Sequence, residues 1–153
     1  MRKQSGFSLI ELMTAMAILT ILVLISAPSA IEWMDNAKLS SATRDVLSII
    51  QESRMHAIKE NSMTELEFNN GTNTFVVRKL DRKIDPAEWD EVGHELPAGM
   101  TLDATFGSGS TFKFNSRGLP NLMGRVEITN QRGTTFKVVV SFTGSTRIER
   151  VAN

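Results

Sequence analysis

The 153-residue chain contains no cysteine. That excludes a disulfide framework and any thiolate metal site, so a folded domain here must be held by its apolar core alone. Net charge is missing as well. Seventeen Lys and Arg balance seventeen Asp and Glu, which removes a general attraction to polyanions. No internal repeat or low-complexity tract occurs. Catalytic motifs are absent: there is no nucleophile elbow and no pair of metal ligands at a recognised spacing. A hydrolase reading would have to bring Ser116 together with His56 or His94. The expectation is therefore no enzyme, no cofactor and no metal. The most informative absence is local. From Leu12 to Ile31 twenty residues pass without a charged side chain. As a helix rising about 1.5 Å per residue, that run covers about 30 Å, the hydrocarbon thickness of a bilayer.

Around this run the residues are specific. Met1-Arg2-Lys3-Gln4-Ser5-Gly6 is a short basic leader, Phe7 opens the apolar stretch, and one carboxylate, Glu11, lies inside it. A charge at mid-bilayer costs about 2.5–3.5 kcal/mol on insertion scales, so Glu11 is a functional candidate. Arg2 and Lys3 precede the span, while Glu32 and Asp35 follow it. The positive-inside rule puts the leader in the cytoplasm and the rest of the chain across the membrane. An ordinary secretory signal would need a small-residue cleavage site after its core. Ser26-Ala27-Pro28-Ser29-Ala30 offers one, but the apolar stretch is long for a signal core and Glu11 interrupts it early.

Gly6-Phe7-Ser8-Leu9-Ile10-Glu11-Leu12 resembles the class III signal of type IV pilins and type II secretion pseudopilins. The resemblance implies that a prepilin peptidase cuts between Gly6 and Phe7, and that Phe7 becomes N-methylphenylalanine. It also implies that Glu11 is the assembly glutamate, pairing with the Phe7 amine of the next subunit. Phe7 and Glu11 are four residues apart, so a pair within one chain is geometrically open too. The bland account of Glu11 is a carboxylate that snorkels to the headgroups. Implied partners are other pilin or pseudopilin subunits, the prepilin peptidase, an inner-membrane assembly platform and membrane lipid. Cleavage would leave fifteen basic against seventeen acidic residues. Many major pilins close a C-terminal loop with a disulfide, and this chain departs from that pattern.

Beyond the span the period changes twice. Leu39, Ala42, Val46, Ile49, Ile50 and Ala57 recur at three- and four-residue steps, which predicts one apolar stripe on a continuing helix that packs on the protein's own sheet. Pro28 predicts a kink or local unwinding, and Asn61 a helix stop. Strands are expected at Thr64–Phe68, Thr74–Leu80, Met100–Phe106, Thr111–Asn115, Arg125–Thr129, Thr134–Phe142 and Thr146–Val151, with hairpins at Asn69–Asn73 and Asn130–Gly133. Asp81 to Glu95, with Pro86, Trp89 and His94, reads as a polar loop of net charge −4. The division expected is a leader over residues 1–6, a transmembrane helix over 7–31, its amphipathic continuation over 32–61 and a β-rich periplasmic domain over 62–153.

Three later segments narrow the resemblance. Ser53-Arg54-Met55-His56-Ala57-Ile58, Phe114-Asn115-Ser116-Arg117-Gly118-Leu119-Pro120 and Gly144-Ser145-Thr146-Arg147-Ile148 are similar to the GspH/FimT group of minor pseudopilins and minor pilins. The fold implied is α+β and pilin-like, a long N-terminal helix packed on antiparallel β-sheet. The function implied is that of a structural minor pseudopilin of type II secretion, or alternatively a FimT-like minor pilin of a type IV pilus. Some FimT-like proteins bind DNA through a Gly-Arg-x-Arg pattern. Here Gly144-Ser145-Thr146-Arg147 lacks the first arginine, which leaves Arg147 with Arg150 as a substitute. Two or three arginines without an aromatic platform predict weak binding at best. Arg117 is expected to serve a turn, with the acidic loop as a candidate partner for its guanidinium.

Overall fold

Helix α1 runs from Leu9 to Lys59 without interruption. In this computed structural model residues 8–81 and 88–151 are described. Gly6 and Phe7, the residues of the expected cleavage site, lie outside them, as does Pro86. The backbone stays helical through Pro28, so the local unwinding expected there does not occur. A proline removes one hydrogen bond, and the helix continues on the remaining ones.

The chain divides into two units, Met1–Asp35 and Asn36–Asn153. In the first, every side chain described from Leu9 to Met34 is exposed. Its hydroxyls turn back onto the helix. Thr14 donates to the carbonyl of Ile10 at 2.6 Å, Thr20 to Met16 at 2.8 Å, Ser26 to Leu22 at 2.7 Å and Ser29 to Ser26 at 2.9 Å. Such back-bonding satisfies a polar side chain in a medium that offers no water.

In the second unit the expected stripe is buried. Leu39, Ala42, Val46, Ile50 and Ala57 are almost wholly covered, and Ile49 packs at the margin. Thr43 and Ser53 share the buried face, and their hydroxyls donate to the carbonyls of Leu39 and Ile49 at 2.8 Å each. The helix ends in a Schellman arrangement. Asn61 sits in the left-handed region at φ 48°, its N–H donates to the Ile58 carbonyl at 3.3 Å, and the Ser62 N–H donates to Ala57 at 3.0 Å. Asparagine tolerates this conformation better than most residues.

Eight strands follow: β1 (Thr64–Phe68), β2 (Thr74–Asp81), β3 (Glu88–Glu95), β4 (Met100–Phe106), β5 (Thr111–Phe114), β6 (Gly124–Asn130), β7 (Thr135–Val140) and β8 (Thr146–Arg150). They form two four-stranded antiparallel sheets, ordered β3-β2-β1-β5 and β4-β6-β7-β8. Both expected hairpins are present, β1 with β2 and β6 with β7. The expected polar loop is corrected in part. From Glu88 to Glu95 it is strand β3, paired residue for residue with β2 from Asp81 back to Thr74. An edge strand with little core behind it can carry carboxylates that read as a solvated loop.

One core joins the stripe of α1 to both sheets. Phe112 of β5 stacks on Phe68 of β1 at 6.4 Å and on Phe106 of β4 at 4.3 Å, so the aromatic cluster spans the sheets. Each such buried ring contributes roughly 1.5–3 kcal/mol. The hairpin turn between β1 and β2 is tied to the second sheet as well: Asn70 accepts from the Ala104 N–H at 2.8 Å and donates to its carbonyl at 3.0 Å.

Candidate assembly site

Ser8 and Glu11 open α1 together. The Glu11 N–H donates to the Ser8 hydroxyl oxygen at 3.3 Å and to its carbonyl at 3.1 Å, so Ser8 caps the helix. Glu11 is the third residue of the helix, and its carboxylate enters no ion pair among the described residues. A negative charge in the first turn is favoured by the helix dipole. The cap was legible as Ser-x-x-Glu, a capping-box spacing that sequence reasoning passed over.

At the far end of α1, the three segments singled out in the sequence meet. Arg54 Nε donates to the Gly118 carbonyl at 2.9 Å, and Arg54 Nη2 reaches the Thr143 carbonyl at 3.3 Å. One planar guanidinium thus ties two loops to the helix. Gly118 and Gly144 both have positive φ, and a Cβ on Gly118 would come within 2.5 Å of Ile58 Cδ1. The first loop is shaped by Asn115, whose side-chain oxygen accepts from the N–H groups of Arg117 and Leu119 at 2.9 and 3.1 Å. Arg117 serves this turn with its backbone, and its guanidinium makes no ion pair among the described residues. Gln51 adds a further tie, donating to the Thr146 hydroxyl at 3.0 Å.

Arg147 and Arg150 do not act as a pair. Strand alternation puts Arg147 with Glu149 on the outer face of the second sheet, and Arg150 with Thr146 and Ile148 on the other side. On the outer face Arg147 Nε meets Glu149 at 2.5 Å, Lys137 Nζ meets Glu149 at 3.0 Å and Arg125 Nε meets Glu127 at 2.7 Å. Lys137, and then Arg147, hold the Glu149 carboxyl below its ordinary range. Asp103 lies opposite Glu127 in the strand register. Three cations thus meet two carboxylates, Glu127 and Glu149, in ion pairs. A cleft of about 570 Å³ lies on this face, lined by Arg125, Val139 and Arg147 among others. Its lining carries Arg125, Lys137 and Arg147 against Glu149, and each of these cations is paired with a carboxylate, Arg125 with Glu127 and the other two with Glu149.

On the first sheet's outer face carboxylates outnumber cations, with Glu65, Glu67 and Glu91 around Arg78 and Lys113. Arg78 is held by Glu65 at 3.2 Å, by Glu67, and by Glu91 at 2.6 Å. Hydrogen bonds to Glu91 and Glu67 raise its pKa. Ser116, His56 and His94 are joined by no hydrogen bond among the described residues. His94 stacks on Phe75 at 5.0 Å, and burial lowers its pKa. No group of three His, Asp or Glu side chains is placed to hold a metal among the described residues.

Residues 42–144 match the family Type II transport protein GspH, and residues 1–27 match the prokaryotic N-terminal methylation motif. The chain belongs to the GspH family. Its fold is similar to that of the minor pseudopilin EpsH from the type II secretion system of Vibrio cholerae. The TM-score is 0.62 at 13% identity, over 74% of this chain and 97% of that one. It is also similar to the type IV minor pilin FimU of Pseudomonas aeruginosa, with a TM-score of 0.57 at 14% identity over 76% and 92%. No curated protein matches the chain. The GspH match contains Arg54, Gly118 and Gly144, so the seam they form lies inside the family's domain. The methylation motif covers Gly6, Phe7 and Glu11.

Proposed function

We propose that this GspH-family chain is a structural minor pseudopilin of a type II secretion system. Prepilin peptidase cuts between Gly6 and Phe7, and Phe7 becomes N-methylphenylalanine. Residues 7–31 hold the subunit in the bacterial inner membrane with the domain in the periplasm. From there it enters a periplasmic pseudopilus through an inner-membrane assembly platform. One observation carries the reading. A helix segment long and apolar enough to cross a membrane, with its described side chains exposed, is continuous with the core helix of a GspH domain. Exposed apolar surface of that extent calls for lipid or for neighbouring helices. During assembly, as Glu11 enters low dielectric, it is relieved by the Phe7 amine of the next subunit, since a paired charge there loses much of its penalty.

The test is Glu11→Leu. The variant should be cleaved and inserted as before and should be lost from sheared pseudopili. Normal incorporation would remove Glu11 from assembly. Mass spectrometry of the mature protein should find methylated Phe7 as its first residue.

The similarity to FimU supports a second reading, a minor pilin of a type IV pilus, at an identity within one percentage point of the first. DNA capture by that pilin draws less support, because Arg147 is committed to Glu149 and Arg150 faces the opposite side of β8. A salt-dependent gel shift comparing the protein with Arg147→Ala and Arg150→Ala checks it. No shift at low salt is the expected result.

A further inference from the structure

The charge-free run ends at Ile31, and Trp33 follows one residue after Glu32. Trp33 is 73% exposed, so little of the chain covers its indole. Between Glu11 and Trp33 the helix advances 22 residues, roughly 33 Å at 1.5 Å per residue. That length matches the hydrocarbon thickness of about 30 Å. Glu11 and Trp33 therefore sit at the two ends of one bilayer-spanning length.

The two ends differ in chemistry. Tryptophan joins an apolar ring to a single N–H donor, and membrane proteins place it at the headgroup level for that reason. Glu32 and Asp35 flank Trp33 and resist entry into hydrocarbon. Together they stop the helix from sinking inward, while the indole resists its being drawn outward. We infer that Trp33 is seated at the outer headgroup boundary of the membrane in the unassembled subunit and sets the depth of the helix. This rests on the membrane-anchored reading above.

The seat has a consequence for Glu11. With Trp33 at the outer boundary, Glu11 lies at the inner boundary, in the first turn of α1, where headgroups and water solvate it. Its charge costs little there. The penalty arises when the subunit is drawn outward and Glu11 enters hydrocarbon, which is the moment a neighbour's amine would be needed. Trp33 leaves the headgroups in the same movement, so both ends of the helix oppose unassisted extraction.

The test uses the full chain in phosphatidylethanolamine–phosphatidylglycerol vesicles whose lipids carry bromine either high or low on the acyl chain. The chain has two tryptophans. Trp89→Phe leaves Trp33 as the only emitter. Trp33→Phe supplies the Trp89 background, so subtraction isolates Trp33 even if the first variant folds poorly. Leu22→Trp with both native tryptophans replaced by Phe gives a mid-membrane reference. We expect shallow bromine to reduce Trp33 emission roughly twofold, more than deep bromine does, with the order reversed at position 22. Stronger quenching of Trp33 by deep bromine would overturn the inference. So would full quenching by aqueous iodide with no bromine effect, in protein that floats with the vesicles. Protein that does not float with them at all would instead overturn membrane anchoring, and the inference with it.

Discussion

Leu19 and Leu39 are the same residue on the same helix, yet one is 59% exposed and the other is fully buried. The contrast runs the length of α1. Before Asp35 its described apolar side chains are exposed, and after Lys38 a stripe of them is covered by two sheets. Hydrophobicity alone does not decide burial. What decides it is whether the helix is polar on its other face. From Asn36 on, Lys38, Arg44, Asp45 and Lys59 supply a solvated side, so the apolar stripe has one direction to go. From Leu12 to Ile31 no side is polar, and a protein domain cannot wrap such a rod while still leaving it a wet face. The first region is built for a different solvent.

The largest effect should come from matched truncations. Ile50→Ala removes a fully buried side chain and should lower the unfolding free energy of the domain by about 2–5 kcal/mol. Leu19→Ala removes a similar side chain from the exposed run and should leave domain unfolding unchanged. Both are read by denaturant melts of the full chain in detergent. Equal losses would break the comparison.

Arg54→Ala should come next. It deletes two bonds from a charged donor to the carbonyls of Gly118 and Thr143, each worth about 1.5–3 kcal/mol when fully made. Partial exposure places the expected loss at about 2 kcal/mol in the same melt. Arg54→Lys should recover little, because an ammonium lacks the planar fork.

Residue patterns made some of this legible and left the rest hidden for physical reasons. β1 and β4 have the bounds that alternation predicts, since their core-facing residues alternate cleanly. β3 was hidden because its residues are nearly all exposed and four of them are acidic. Only pairing with β2 makes it a strand. The seam at Arg54 was visible as three separate segments and not as one site, because its two acceptors lie 64 and 89 residues away in sequence. Arg147 and Arg150 looked like a pair by proximity, whereas a spacing of three on a strand puts them on opposite faces. Glu11 stands out in the sequence as a lone carboxylate in an apolar run, and its role in assembly is a proposal that Glu11→Leu tests.

A smaller change tests how the covered half of α1 ends. Asn61→Ala places a Cβ-bearing residue without asparagine's tolerance at φ 48° and should cost about 1 kcal/mol. Asn61→Gly should be neutral within a few tenths. A costly glycine variant would mean that the Asn61 side chain, and not its backbone conformation, holds the cap.

The smallest effect is electrostatic and separates the regions by pH. Glu149 carries a depressed pKa, caused first by Lys137 and then by Arg147. A carboxyl depressed in the folded state stabilises the fold above its unfolded pKa, near the ordinary value of 4.5, and that contribution is lost as pH falls through the lower folded value. Unfolding midpoints measured downward from neutral pH should therefore begin to drop below about pH 4.5, and Glu149→Gln should make that drop shallower. The pair is solvent-facing, so added salt should shrink the difference between the two proteins. The run from Leu12 to Ile31 has nothing to titrate, and helix content in that half should stay flat across the same range. An acid transition of equal slope in wild type and Glu149→Gln would show that the outer-face pairs are geometry without energetic consequence. The stability of the covered region would then rest on its apolar core alone.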